Sequence, residues 1–249
     1  MRKSMIALSV LAALPALYAS PVLAEEAAAS PHTFTGNVGF VSDYRYRGMS
    51  QTEKKVALQG GFDYSHESGL YAGTWASNVS WFDAWNSDSQ NSLEWDFYGG
   101  YKMPVGPVTL DMGLLQYYYP GSQVDGVVSP NTLEGYLGAS WEFLTFKYSY
   151  SFSNLFGVSD SKGSEYFDLS ASYDVGAGFI VGAHIGRQHV AHNSWASYND
   201  WKIGVTKEVL GVNVGLSYIG TDSEDAYVSP NGRQQWGSDT WVLSVNKTF

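Results

Sequence analysis

The sequence predicts an all-β protein: a transmembrane antiparallel up-and-down β-barrel of about 12 strands. Three observations predict it. Segments of about ten residues alternate apolar and polar positions with a period of two, the signature of a strand with one apolar face. The connections between these segments alternate between short and long. The chain also carries 18 Tyr, 9 Trp, 12 Phe and 27 Gly in 249 residues, with only 15% charged. That composition suits aromatic girdles and tight turns. A mean hydropathy of −0.18 is no objection, because only every second strand residue needs to face lipid.

In chain order, the first segment is 33–42, with Phe34, Val38 and Phe40 on one face. Next come 56–65 (Leu58, Phe62, Tyr64), 70–81 (Tyr71, Trp75, Val79), 93–102 (Trp95, Phe97, Tyr101) and 108–119 (Leu110, Met112, Leu114). The middle segments are 132–141 (Leu133, Leu137, Ala139), 144–153 (Phe146, Tyr148, Tyr150) and 165–173 (Phe167, Leu169, Tyr173). The last four are 179–188 (Val181, Ala183, Ile185), 200–207 (Trp201, Ile203, Val205), 212–221 (Val214, Leu216, Tyr218) and 238–249 (Trp241, Leu243, Val245). Short connections fall at 66–69, 103–107, 142–143, 174–178 and 208–211. Long ones fall at 45–55, 82–92, 120–131, 154–164, 189–199 and 222–237. Short turns at one end and long loops at the other are the habit of transmembrane barrels, and an even strand number returns both termini to the turn end. A soluble β-sandwich is the competing reading. It does not account for the loop rhythm together with the two termini.

Those termini point the same way. Arg2 and Lys3 precede a mostly apolar run broken by Pro15, and Val22-Leu23-Ala24 has a small-x-small cleavage pattern. Residues 1–24 therefore read as a cleaved signal peptide, 25–32 as a short periplasmic segment and 33–249 as the barrel. At the other end, Trp241, Leu243, Val245 and Lys247 alternate towards a terminal Phe249. A strand that stops on an aromatic resembles the closing strand of bacterial outer-membrane barrels. The resemblance implies a Gram-negative outer membrane, its lipids as surroundings, and the barrel-assembly machinery as a partner engaged through Phe249.

A net charge of −10 argues against nucleic-acid binding, which needs a basic footprint. There is no cysteine, hence no disulfide, thiolate chemistry or lipid-attachment cysteine. The expectation is a monomer without a cofactor.

The polar face of the strands carries the functional argument. It is rich in small residues, such as Gly61, Gly100, Gly113, Ser149, Ser170, Gly182, Gly204 and Ser217. Eight strands are just filled by their side chains and sixteen leave an aqueous channel, so twelve lined by small residues imply a narrow wet lumen. The same parity turns Asp63, Glu94, Asp96, Asp111, Glu134 and Asp168 inward, with Lys102, Lys147, Lys202 and His184. Water or salt bridges must satisfy these charges. Two readings stay open: a solute path with an acidic lining, and a closed plug in which acids and bases neutralise each other. An open path lined in this way would prefer cations.

Enzymatic constellations are weak. No G-x-S-x-G nucleophile elbow occurs. His184 with Asp168 forms a candidate orienting pair, but the neighbouring Ser170 and Ser172 are ordinary lumen residues. His184, His189 and His192 are poor metal ligands as a set, since the first lies in a strand and the others in a loop. Asp222, Glu224 and Asp225 read as a solvated acidic loop. A Ser-Pro-Asn echo between 125–131 and 225–231 reads as a repeated turn. A lipid-modifying enzyme ranks below both channel and closed barrel.

The most distinctive local text is S-D-Y-R-Y-R-G-M-S-Q at 42–51, followed by Q-G-G-F-D-Y-S-H-E-S-G-L-Y-A-G-T-W-A-S-N-V at 59–79. It resembles the N-terminal signature of the TorF-type porins, a proteobacterial outer-membrane family. The match is dense over residues 37–81; beyond them it rests on length, strand rhythm and the terminal Phe. The resemblance implies an outer-membrane barrel with a porin role, and no substrate or catalytic residues. Read from the residues, a first strand continuing upward would turn Asp43, Arg45 and Arg47 inward and Tyr44 and Tyr46 towards lipid. Arg45 and Arg47 would then pair with acids of neighbouring strands or form an anion-attracting rim; pairing is favoured by the fork geometry of guanidinium and carboxylate. Finally, setting 174 opposite 178 in the short turn places Asp168 directly opposite His184, as a pH-sensitive pair in the lumen.

Overall fold

The computed structural model describes residues 30–85, 88–223, 227, 232 and 235–249. The signal-peptide reading of 1–24 and the echo at 225–231 lie outside the described residues.

Among the described residues there are fourteen strands: β1 (His32–Val41), β2 (Arg45–Tyr46), β3 (Met49–Ser50), β4 (Ala57–His66), β5 (Leu70–Asn78), β6 (Leu93–Val105), β7 (Val108–Tyr118), β8 (Thr132–Trp141), β9 (Leu144–Ser151), β10 (Glu165–Gly176), β11 (Phe179–His189), β12 (Tyr198–Val209), β13 (Val212–Thr221) and β14 (Thr240–Thr248). A short helix α1 (Trp81–Trp85) follows β5. All strands but β2 and β3 form one closed antiparallel barrel, ordered β1-β14-β13-β12-β11-β10-β9-β8-β7-β6-β5-β4. The fold is thus the twelve-stranded up-and-down barrel expected. Each strand pairs with its neighbours in sequence, and closure is made by β1 on β14, from Asn37↔Thr248 to Val41↔Ser244.

The terminal residue completes that seam. Phe249 N–H donates to the Gly36 carbonyl at 2.9 Å and its own carbonyl accepts from Gly36 N–H at 2.8 Å. A Cβ on Gly36 would meet the Phe249 ring at 2.8 Å, so the glycine lets the ring lie against β1. Phe249 itself is exposed on the exterior.

The barrel exterior carries a continuous set of exposed apolar side chains, among them Phe34, Phe62, Leu114, Leu137, Ile185 and Trp241. A surface like this has no stable place in water. Strands of roughly ten residues, closed on themselves so that the sheet has no open edge, suit a bilayer core. Turn chemistry explains the tight end. Ala177-Gly178 (φ 54° and 75°) and Leu210-Gly211 (φ 54° and 76°) each put two residues in the left-handed region, the geometry of two-residue hairpin turns that follow the strand twist. Several strands run further than the alternation alone indicated, because these turns are tighter: β6 reaches Val105 and β10 reaches Gly176, with a bulge between Asp174 and Gly176.

The largest departure follows β1. The strand stops at Val41, and residues 43–52 fold into the barrel, where β2 and β3 form a small hairpin. Tyr44 and Tyr46 therefore do not face lipid as expected. They are 3% and 8% exposed and belong to the central aromatic cluster. Tyr44 meets Trp75 edge-on at 5.4 Å, and Tyr46 meets Tyr117 and Phe156 at 5.5 Å each. Such pairs contribute about 0.5–1.5 kcal/mol each beyond area burial. Twelve strands lined with small residues leave a void, and these rings fill it.

Candidate functional site

The lumen has two unlike halves. Against β5–β9 it is packed. Glu94 lies fully inside and accepts hydrogen bonds from the Tyr44 hydroxyl at 2.7 Å and the Tyr119 hydroxyl at 2.6 Å. Asp96 is buried beside it. Tyr98 donates to Asp63 at 2.5 Å, and Tyr71 donates to Asp111 at 2.6 Å while touching the Tyr136 hydroxyl. Lys102 lies over the Tyr71 ring at 4.9 Å and Lys147 over the Tyr136 ring at 4.2 Å. In this half, tyrosine hydroxyls bind Glu94, Asp63 and Asp111 and tyrosine rings lie against both lysines, while Asp96 Oδ1 and Asp63 Oδ2 are buried without a hydrogen-bond partner among the described residues.

The inward loop separates that half from the rest. Asp43 fastens its base, accepting from Arg45 Nε and Ser50 Oγ at 2.6 Å each. Arg45 Nη1 donates to the carbonyls of Gly48, Trp236 and Ser238 at 2.8–3.0 Å, which ties the hairpin to the last long loop. Arg47 reaches across the lumen. Its two terminal nitrogens hold Glu134 of β8 at 3.0 and 2.7 Å, and Nη1 also donates to Gln188 of β11 at 2.7 Å. Its guanidinium stacks on Tyr166 at 4.1 Å. Gly48 follows with φ 79°, where a Cβ would lie 2.4 Å from Thr221 Cγ2 and 2.8 Å from Asp200 Cβ. Only glycine allows the loop this close to the β12–β13 wall.

Against β10–β14 the lumen is open. A cavity of about 270 Å³ extends from Phe143 and Asn213, near the turn end, up to Asp43, Arg45 and Arg47 of the inward loop. Ser170, Gly182, Gly204 and Ser217 keep it wide, and Lys202 is exposed within it.

His184 is the hub of its polar wall. The register differs from the expectation by two residues. His184 lies opposite Ser170, and Asp168 lies opposite Gly186. The Asp174–Gly176 bulge and the two-residue turn at Ala177-Gly178 cause the shift. Because the shift is even, both side chains keep their inward face. They still meet on the diagonal, with Asp168 Oδ2 at 3.1 Å from His184 Nδ1. The other ring nitrogen lies 2.7 Å from Asp200 Oδ1, and Asp200 is also held by the Tyr166 hydroxyl at 2.9 Å.

Ser170, His184 and Asp200 together have the composition of a hydrolytic triad, with Ser170 Oγ 3.2 Å from His184 Nδ1. The hydroxyl proton, however, goes to Asp168 Oδ1 at 2.6 Å. The arrangement holds an imidazole between two carboxylates in the wall of the cavity.

Of the residues singled out from sequence, Arg47 and Glu134 meet each other, as do Asp168 and His184, with Lys202 across the ladder from His184. Arg45 pairs within its own loop. Asp63, Glu94, Asp96, Lys102, Asp111 and Lys147 belong to the packed half and its border. His189 and His192 are not brought to His184: the first is exposed at the end of β11, and the second lies 3.6 Å from Asp160 in a loop. Among the described residues no group of metal-ligating side chains gathers. Sequence reasoning missed Asp200, Tyr166 and Gln188. The signal for Asp200 was its shared parity with Lys202 in β12.

The family model for Gcw_chp, described as a bacterial protein of unknown function, matches residues 25–249. The chain belongs to that family. The family's description carries no TorF label. No curated protein matches the sequence. Among solved structures, the barrel is similar to the KdgM porin, with a TM-score of 0.55 at 8% identity, covering 86% of this chain and 99% of that one. A structure of the KdgM porin in complex with disordered oligogalacturonate matches with the same score and identity over 87% of this chain and 99% of that one. The NanC porin is similar at a TM-score of 0.51 and 12% identity, over 86% and 98% of the two chains. At these identities the likeness is one of fold.

Proposed function

We propose that the protein is a monomeric porin of the Gram-negative outer membrane, a narrow channel for small hydrophilic solutes. The observation that carries this reading is the cavity of about 270 Å³, with Asp168, His184, Asp200 and Lys202 in its lining, running along the β10–β14 wall inside a closed barrel with an apolar exterior. A barrel needing only to be stable would fill that space as it fills the other half. The TorF-type text at 42–51 supports the same assignment, and in this reading its arginines fasten the loop that narrows the lumen. The short turns and both termini face the periplasm, and Phe249 serves assembly. The KdgM porin's capture with an oligogalacturonate suggests short sugar acids as one solute class to try.

Swelling of liposomes carrying the refolded protein tests the reading. Small neutral and charged solutes should enter, with a steep cut-off in size. Liposomes that admit none of them would leave the second reading, a non-conducting structural or interaction barrel with a salt-bridged lumen. The two-pronged Arg47–Glu134 bridge across the lumen favours that alternative.

A further inference from the structure

The charges lining the open cavity are not equally available to a solute. Asp43 is closed, because its two oxygens accept from Arg45, Ser50 and Thr52. Asp168 and Asp200 are closed as well. Their side chains are 4% and 2% exposed, and each of their oxygens already meets His184, Ser170 or Tyr166. Among the cations, Arg45 and Arg47 are buried against carboxylates, and His184 is held between two. Lys202 is different. It is exposed within the cavity, and no described residue forms a hydrogen bond or close ion pair with its ammonium.

The wall beside Lys202 has room for a solute and groups to meet it. Lys202 lies opposite His184 of β11 and Ile219 of β13. One step towards the turn end, Gly182, Gly204 and Ser217 lie side by side, and a further step brings Thr206, Gly215 and Ser244 together. A Cβ on Gly204 would come within 2.2 Å of Ser217 Oγ, and one on Gly215 within 2.6 Å of Ser244 Oγ, so the glycines give these hydroxyls their place. No described lining residue on the turn side of Lys202 is charged.

We propose that this cavity binds a small polyhydroxylated monocarboxylate, its carboxylate on the Lys202 ammonium and its hydroxyls over the glycine floor. A charge-assisted hydrogen bond to an unpartnered ammonium is among the stronger contacts a solute can gain. The low-dielectric wall of the lumen concentrates that field. A solute cation would find every lining carboxylate taken, and a neutral polyol would leave the ammonium unpaired. The preference is for anions, opposite in sign to what a count of inward acids indicates. This solute class rests on the channel reading for the route by which solute arrives, whereas binding itself needs no current.

Isothermal titration calorimetry of the refolded protein in a zwitterionic detergent tests the site. Gluconate, sorbitol and glucamine share a polyol skeleton that ends in a carboxylate, a hydroxyl and an ammonium respectively. Gluconate should bind saturably and about ten-fold or more tighter than either of the others, the worth of a hydrogen bond to a charged group. Lys202→Gln should remove that advantage, and Lys202→Arg should keep most of it. The comparison of the three solutes on the wild-type protein needs no variant, and the thermal melt of each variant shows whether its barrel is intact. Gluconate binding no tighter than sorbitol overturns the proposal. So does tighter binding of glucamine, or an undiminished gluconate advantage in intact Lys202→Gln. Liposome swelling separates the two readings: gluconate binding without entry of any solute refutes the channel and leaves the site, and entry of solutes without a gluconate preference does the reverse.

Discussion

Replacing Arg47 by methionine removes a side chain that ties the inward loop to β8 and β11 while keeping much of its volume. In the native barrel the side chains of Arg47 and Glu134 are 4% and 3% exposed. Removing one member of such a buried pair costs about 3–5 kcal/mol, because the other charge stays buried without its partner. That cost is relieved when the inward loop leaves, since Glu134 then regains water. The population with the loop displaced should therefore rise by roughly 10²- to 4 × 10³-fold, at about 1.4 kcal/mol per decade. Single-channel recording should show larger or more frequently open steps in Arg47→Met than in the wild type. The double variant Arg47→Met/Glu134→Gln has no orphaned charge, so its loop should stay closer to the native position. The reasoning is refuted if the single variant conducts like the wild type, or if single and double variants conduct alike.

Three further outcomes follow from the same geometry. His184 faces the open cavity between Asp168 and Asp200, so protonating it adds positive charge there. The reversal potential under a salt gradient should move towards anion selectivity as pH falls through the imidazole's titration, and the movement should vanish in His184→Gln. Gly48→Val forces a β-branched residue to φ 79° with its Cβ 2.4 Å from Thr221; it should destabilise the refolded barrel by about 1–3 kcal/mol in urea unfolding, or dislodge the loop. Leu210 sits at φ 54° in a two-residue turn and is 98% exposed, so Leu210→Gly should raise stability by up to about 1 kcal/mol in the same assay.

The barrel itself was legible because lipid imposes one rule on every strand. Period two, tight turns and long loops give the strand number without knowledge of any contact. The site was legible only in part. Parity alone turned Asp168, His184, Glu134 and Lys202 inward. The fine register depended on a bulge at Asp174–Gly176, a backbone irregularity that the side-chain alternation does not report. The inward loop was hidden for a deeper reason. Tyr44-Arg45-Tyr46-Arg47 continues the alternation of β1 as if it were strand. What turns it inward is the space left by small residues on distant strands, which no local pattern contains. The same fact redistributes the lumen charges. Glu94, Asp63 and Asp111 count towards an acidic lining by parity, yet they bond to tyrosines in the packed half, so the charged groups lining the cavity are Asp43, Arg45, Arg47, Asp168, His184, Asp200 and Lys202.

The central claim is that solute passes along the β10–β14 wall. The chain has no cysteine, so one can be placed there cleanly. Ser217 lines the open cavity, while Ser149 is buried at 3% exposure beside the packed half. Single-channel currents through Ser217→Cys protein, recorded before and after a positively charged methanethiosulfonate reagent, are the most direct measurement. The account expects discrete steps that shrink on modification of Ser217→Cys and stay unchanged in Ser149→Cys. Folded protein giving no steps over a wide voltage range, or steps indifferent to modification at 217, would contradict it.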